Sequence, residues 1–204
     1  MRKTWSWCCA RTILIIASLC LLHGGAVMAA EFSADTISTH GGETITGKVF
    51  VKGDRIRNEG VRGGKETIAI IRMDKKLSWI LRPENKTYVE MKGGGAAQSR
   101  AEMESAAREM ADRKVLGTEK LNGFLCEKVQ YVYHDKSLGV MTQWIAKDLD
   151  YPIKTEHTGG PGGGFKTELT NIKVKSVPDS LFEVPAGYKN VPMPDLKMPK
   201  KEGP

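Results

Sequence analysis

A chain of 204 residues with 31 Lys and Arg against 24 Asp and Glu, net +7, is long enough to bury a proper core and short for two domains. Its cations are interspersed with acids and form no basic stripe, which excludes the usual footprint of a nucleic-acid binder. Four cysteines, three of them before residue 21, exclude a disulfide-built scaffold.

Met1 to Ala30 reads as an export signal, because Arg2, Lys3 and Arg11 precede the apolar run Ile13 to Leu22 and the small residues Ala26, Ala29 and Ala30 follow. Cleavage is expected near Ala29–Glu31, which makes the mature protein periplasmic or secreted. Its charge is then +4, from 28 basic and 24 acidic residues, and Cys126 is its single thiol. A lone cysteine of this kind reads as a small buried hydrophobe. No later run is long and apolar enough to predict an integral membrane span.

From Phe32 onward the chain alternates in short runs. Phe32, Ala34 and Thr36 share a face before the Gly41-Gly42 break. Ile45, Val49 and Val51 share a face of the next run, with Thr44, Thr46 and Lys48 pointing the other way, the period-two mark of a half-buried strand. Arg55-Ile56-Arg57 opens a further strand that the glycine-rich stretch Gly60 to Gly64 is expected to end. Thr67 to Met73, Leu77 to Leu81 and Thr87 to Met91 follow, joined by the short corners Asp74-Lys75-Lys76 and Pro83-Glu84-Asn85. Corners this short make antiparallel neighbours, and the long crossovers of a parallel sheet are absent.

Ala96 to Lys114 is the one predicted helix. Met103, Ala106, Ala107 and Met110 fall on one face, and Arg100/Glu104, Glu104/Arg108, Arg108/Asp112 and Glu109/Arg113 pair at i,i+4. Val129, Tyr131 and Tyr133 then alternate with Lys128, Gln130 and His134. Val140 to Ala146 and Tyr151 to His157 form a hairpin whose turn chemistry lies in Lys147 to Asp150, with Pro152 confined to a strand start or edge. Thr167 to Lys175 alternates again after the flexible Gly159 to Gly164. Leu181 to Tyr188 reads as a closing edge segment, and residues 190–204, rich in Pro and Lys, as an unstructured tail.

No catalytic or metal motif stands out. His40, His134 and His157 lie apart, Asp148 and Asp150 are turn neighbours, and the Gly159 to Gly164 loop lacks the Lys-Ser/Thr of a phosphate cradle. The expectation is a non-enzymatic protein with no cofactor and no metal.

With these residues in view, the chain resembles the LolA-like group of periplasmic proteins, closest to a branch known as a domain of unknown function. The resemblance is carried by Gly47 to Arg57, Trp79 to Tyr88, Gly123 to Tyr131, Gln143 to Lys154 and Ser180 to Tyr188. It implies a strongly curved antiparallel sheet forming an unclosed barrel, mainly β, with one long helix as a lid over an apolar concave face. It also implies, for residues 31–189, a partner that is a lipid or the acyl chain of a lipoprotein, or else an envelope protein bound by a stress-sensor module. Val49, Val51, Met73, Trp79, Leu81, Met91, Met103, Met110, Tyr131 and Trp144 are the expected ligand-binding residues.

Overall fold

The computed structural model describes residues 31–93, 100–160 and 163–192, without the side chains at positions 100, 101, 103 and 104. The expected export signal, most of the expected tail and residues 96–99 of the expected helix lie outside the described residues. Two antiparallel meanders make up the fold. The first comprises β1 (Glu31–His40), β2 (Glu43–Lys52), β3 (Arg55–Arg62), β4 (Lys65–Arg72), β5 (Leu77–Arg82) and β6 (Thr87–Lys92). Its corners are as short as the sequence suggests. Gly41 and Gly42 take positive φ between β1 and β2, where a two-residue turn must match the twist of the strands, and single 3-10 turns at Met73–Lys75 and Pro83–Asn85 end in left-handed Lys76 and Lys86. β3 runs through Gly60 to Arg62, so only Gly63 and Gly64 of the expected glycine loop form the turn.

The second meander comprises β7 (Ala111–Leu121), β8 (Phe124–Tyr133), β9 (Val140–Ala146), β10 (Tyr151–Thr158) and β11 (Phe165–Val174). β1 pairs with both β2 and β11 and so joins the halves. A two-residue β12 (Lys189–Asn190) adds in parallel to β6. The resulting order, β12-β6-β5-β4-β3-β2-β1-β11-β10-β9-β8-β7, is a mainly antiparallel twelve-stranded sheet that does not close.

The connection from β6 to β7 therefore runs between the two outer regions of the sheet, and it carries the single α-helix among the described residues, α1 (Arg100–Met110). This corrects the expected long helix over 96–114. Residues 111–114 are already β7, so the anticipated Arg108/Asp112 and Glu109/Arg113 helix pairs do not form; Arg113 instead meets Glu127 of β8 at 2.6 Å and Asp112 meets His134 at 3.3 Å. β7 is exposed along almost its whole length, so it shows no burial alternation, and its mixed charges satisfy an i,i+4 template equally well.

Cross-strand register sorts the side chains onto two faces. Val51 opposes Ile56, Ile56 opposes Ile71, and Ile71 opposes Ser78, which sets Val49, Val51 and Ile56 on one face and Leu77, Trp79 and Leu81 on the other. The first face is the inner one. Ile56 on β3 and Tyr131 on β8 stand six strands apart in the sheet order, about 29 Å if flat at ~4.8 Å per strand, yet both line one cavity. The sheet is curled.

Residues 177–188 cross the outer face as a strap. Val177 and Phe182 bury Ile68, Ile70, Trp79 and Leu81. Arg57 donates to the carbonyl oxygen of Leu181 at 3.1 Å, Lys52 to that of Val177 at 3.2 Å, and the Val177 N–H donates to Glu31 Oε1 at 2.6 Å. A second buried cluster joins Phe32, Ala34, Val49 and Val51 to Trp144, Ala146, Leu149 and Ile153. Ile153 enters it at the bulge between Pro152 and Lys154, which is also how a proline is accommodated here: β11 pairing begins only at Lys154.

Candidate ligand-binding cavity

Two chambers open on the inner face. The larger, about 630 Å³, lies between α1 and strands β8 to β10. Ile56 and Met73 bound it on the first meander, Tyr131, Met141 and Ile145 on the second, and Ala107 and Arg108 from the helix. Lys76 Nζ meets Glu102 of α1 at 3.1 Å, tying the helix to the corner between β4 and β5. Arg113 and Glu127, in mutual contact, also line this chamber, as do Gln143 and Asp150.

The smaller chamber, about 450 Å³, lies over β2 to β4 and β10 to β11. Ile45, Val49, Ala69, Phe165 and Leu169 contribute its apolar walls, while Thr36, Ser38, Thr67, Thr155 and Thr167 bring hydroxyls. The chambers meet at Tyr151 and Pro152, which line both. Tyr151 is set edge-to-face on Phe32, with ring centroids 5.2 Å apart at 74°.

The structure brings together part of the expected set. Met73 and Tyr131 line the larger chamber and Val49 the smaller. Val51 is on the inner face but buried in the core beneath it, and Met91, opposite Ser78, is inner and half-buried while lining neither chamber. Met110 ends α1 half in solvent, 50% exposed. Met103 lies on α1, its side chain outside those described. Trp79 and Leu81 are on the outer face beneath the strap, with Trp79 Nε1 donating to Glu90 at 2.9 Å. Trp144 also has outer parity; Lys128 and Lys154 sit 4.7 and 4.0 Å from its ring centroid, and its Nε1–H is held by Glu119.

Sequence reasoning missed Ile56, Ala107, Met141, Ile145, Tyr151 and Pro152. The signal for the β9 residues was present: Met141, Gln143 and Ile145 alternate with Trp144, and taking the opposite parity of that strand selects them.

The reactive groups are placed for structure. Cys126 is fully buried, its thiol donates weakly to the Phe124 carbonyl at 3.6 Å, and burial pushes its pKa up, away from the thiolate. His157 Nε2–H donates to the Leu138 carbonyl at 2.8 Å, and its ring stacks on Phe165. Among the described residues no three His, Cys, Asp or Glu side chains converge on a metal-sized site. No helix among them is long and apolar enough to cross a membrane.

The model of a family described as a domain of unknown function, DUF4412, matches residues 32–152, and the chain belongs to that family. No curated protein matches it. Among solved structures the chain is similar to an uncharacterized conserved protein from Thermus thermophilus, with a TM-score of 0.59 and 13% identity over 82% of this chain and 93% of that one. It is also similar to a chain of the Pseudomonas aeruginosa MucA/MucB complex, with a TM-score of 0.52 and 12% identity over 78% of this chain; it spans 57% of that relative's length. A LolA-superfamily protein from Nitrosomonas europaea is matched at a TM-score of 0.35 and 10% identity, over 76% and 90% of the two chains. At such identities the first two likenesses are ones of fold.

Proposed function

We propose that this DUF4412 member is an exported, non-catalytic protein of the bacterial envelope that holds a lipid or an acylated partner against the inner face of its curled sheet. The observation that carries this reading is the open chamber of about 630 Å³ between α1 and the sheet, walled by Ile56, Met73, Met141 and Ile145. A cavity of that size is typical of small-molecule sites, and burying hydrocarbon in it gains about 0.8 kcal/mol per methylene before ordering costs. Binding of this kind needs shape and apolar wall, with no nucleophile. In this reading Met73, Tyr131, Ile145 and Tyr151 contact the ligand from the larger chamber and Val49 from the smaller. The test is to purify the mature protein under detergent-free conditions and analyse solvent extracts by mass spectrometry. A stoichiometric acyl-bearing species is the expected result; empty protein that also ignores fluorescent fatty acids defeats the reading.

A second reading is favoured by a separate feature. β7 ends the sheet order, and Val115 and Leu116 on it are 54% and 50% exposed. An envelope protein docking along this edge would use the fold as a protein-interaction or sensor module. Photo-crosslinking from position 116 in cells separates the two: a discrete protein adduct with no extractable lipid supports the edge.

A further inference from the structure

The two chambers differ in chemistry, and the difference specifies a kind of ligand. In the larger, Ile56, Met141 and Ile145 offer apolar wall to a hydrocarbon, and the charges of Arg113 and Glu127 beside them are already paired with each other. In the smaller, five hydroxyls from β1, β4, β10 and β11 point at the same space, and Ser38 and Thr167 already sit 2.9 Å apart in a hydrogen bond. Hydrocarbon packed against those hydroxyls would strip their water and replace it with nothing; a head group carrying hydroxyls would replace it bond for bond.

Volume sets the number of chains. If a methylene takes up about the space of a water molecule, ~30 Å³, the larger chamber holds roughly twenty such units. That suffices for one long acyl chain and falls well short of two. Charge sets the head group. Among the described residues, the lining of the hydroxyl-bearing chamber holds no Lys, Arg or His and includes Glu59, so an anionic head would meet no counter-charge there; the cations Arg108 and Arg113 line the other chamber, where Glu127 holds Arg113 at 2.6 Å.

We infer that the ligand is a single-chain amphiphile with a neutral, hydroxyl-bearing head, its tail in the chamber under α1 and its head in the hydroxyl-lined chamber, the two joined past Tyr151 and Pro152. This deepens the lipid-binding reading and rests on it.

The experiment offers the mature protein 1-monopalmitoylglycerol, palmitate, and vesicles of dipalmitoylphosphatidylethanolamine, with native mass spectrometry for stoichiometry and fluorescent-probe displacement for affinity. One monopalmitoylglycerol per protein is expected, bound about tenfold more tightly than palmitate at neutral pH. Ile145→Trp, which fills the tail chamber, should weaken it at least about tenfold, and Ala107→Phe, which intrudes from the helix and leaves the strand residues unaltered, should do the same if the first variant folds poorly. Thr155→Val should weaken monopalmitoylglycerol several-fold while leaving palmitate unchanged. Palmitate binding as tightly as the ester, or an unaffected Thr155→Val, overturns the head-group assignment. The two-chain lipid binding one-to-one with equal affinity overturns the single-chain inference and leaves the broader lipid reading standing; binding of none of the three removes both.

Discussion

Arg72 on β4 donates to the carbonyl oxygen of Phe182, 110 residues further along the chain, at 3.2 Å. The same guanidinium takes both oxygens of Asp74, at 2.9 and 2.8 Å, and contacts Glu183, while being only 5% exposed. One side chain thus fastens the strap to the outer face. Arg72→Met keeps the apolar stem and removes the fork, so it should cost ~1.5–3 kcal/mol in urea unfolding, the range for hydrogen bonds to a charged group. A change below about 0.5 kcal/mol would show that the strap is held by Phe182 and Val177 alone.

The carboxylates around this fastening give acid sensitivity of a definite sign. Hydrogen bonds from Arg72 hold Asp74 below its ordinary value of 3.8, and hydrogen bonding from Lys52 does the same for Asp179. A carboxylate depressed in the folded state contributes stability that is complete above its unfolded value and is lost as pH falls through the folded one. The melting temperature should therefore show no pH dependence from these groups between about pH 5 and 7, where their contribution is complete, and fall steeply below about pH 4. Asp74→Asn should melt lower at pH 7 and show a shallower decline in acid. Parallel profiles for variant and parent would refute the role of Asp74.

Gly47 and Gly60 provide an internal control on one pair of strands. A Cβ on Gly47 would fall on the backbone carbonyl oxygen of Glu59, whereas one on Gly60 meets only Ile45 Cγ2, at 3.6 Å. Gly47→Ala is expected to lose about 2–3 kcal/mol and Gly60→Ala less than about 1, measured by chemical denaturation.

Much of the fold could be read from the residues, and the reasons it could not all be read are physical. Short polar corners and period-two runs such as Ile45, Val49 and Val51 identify the meanders, because one face of those strands is buried and the turns are tight. β4 defeats the same logic: Ile68 and Ile70 lie under the strap while Ala69 and Ile71 face inward, so both of its faces are apolar and parity says nothing about which is the cavity. For that reason Trp79 and Leu81, the most hydrophobic-looking candidates, lie with Phe182 while Ile56 and Ile145 line the chamber. The chain's own covering segment is invisible to a local pattern.

Cys126 should behave as core. With its thiol buried and its pKa raised by that burial, a disulfide reagent in large excess should label native protein only at the rate of unfolding, and denatured protein at once. Rapid labelling of the native state would refute the assignment of Cys126 to the core.

The exposed edge is open to a test that spares the cavity. Leu116 has no cross-strand partner at the bulge between Val115 and Gly117, and half its surface is in solvent. Leu116→Lys should leave stability within about 0.5 kcal/mol and lipid occupancy unchanged, while abolishing any protein adduct formed along β7. Loss of bound lipid in this variant would place the edge within the binding mechanism.

The position of β1 has a consequence for how the molecule is born. It is bonded on one side to its immediate successor and on the other to β11, with Phe32 opposite Val174. During synthesis the six strands of the opening half can zip together promptly, yet their leading margin stays raw until the penultimate strand arrives. Maturation thus hinges on a late, long-range suturing of beginning to end, the slow kind of step that topology imposes. Interrupted there, the nascent polypeptide would present an unsatisfied backbone ladder to whatever neighbours it meets.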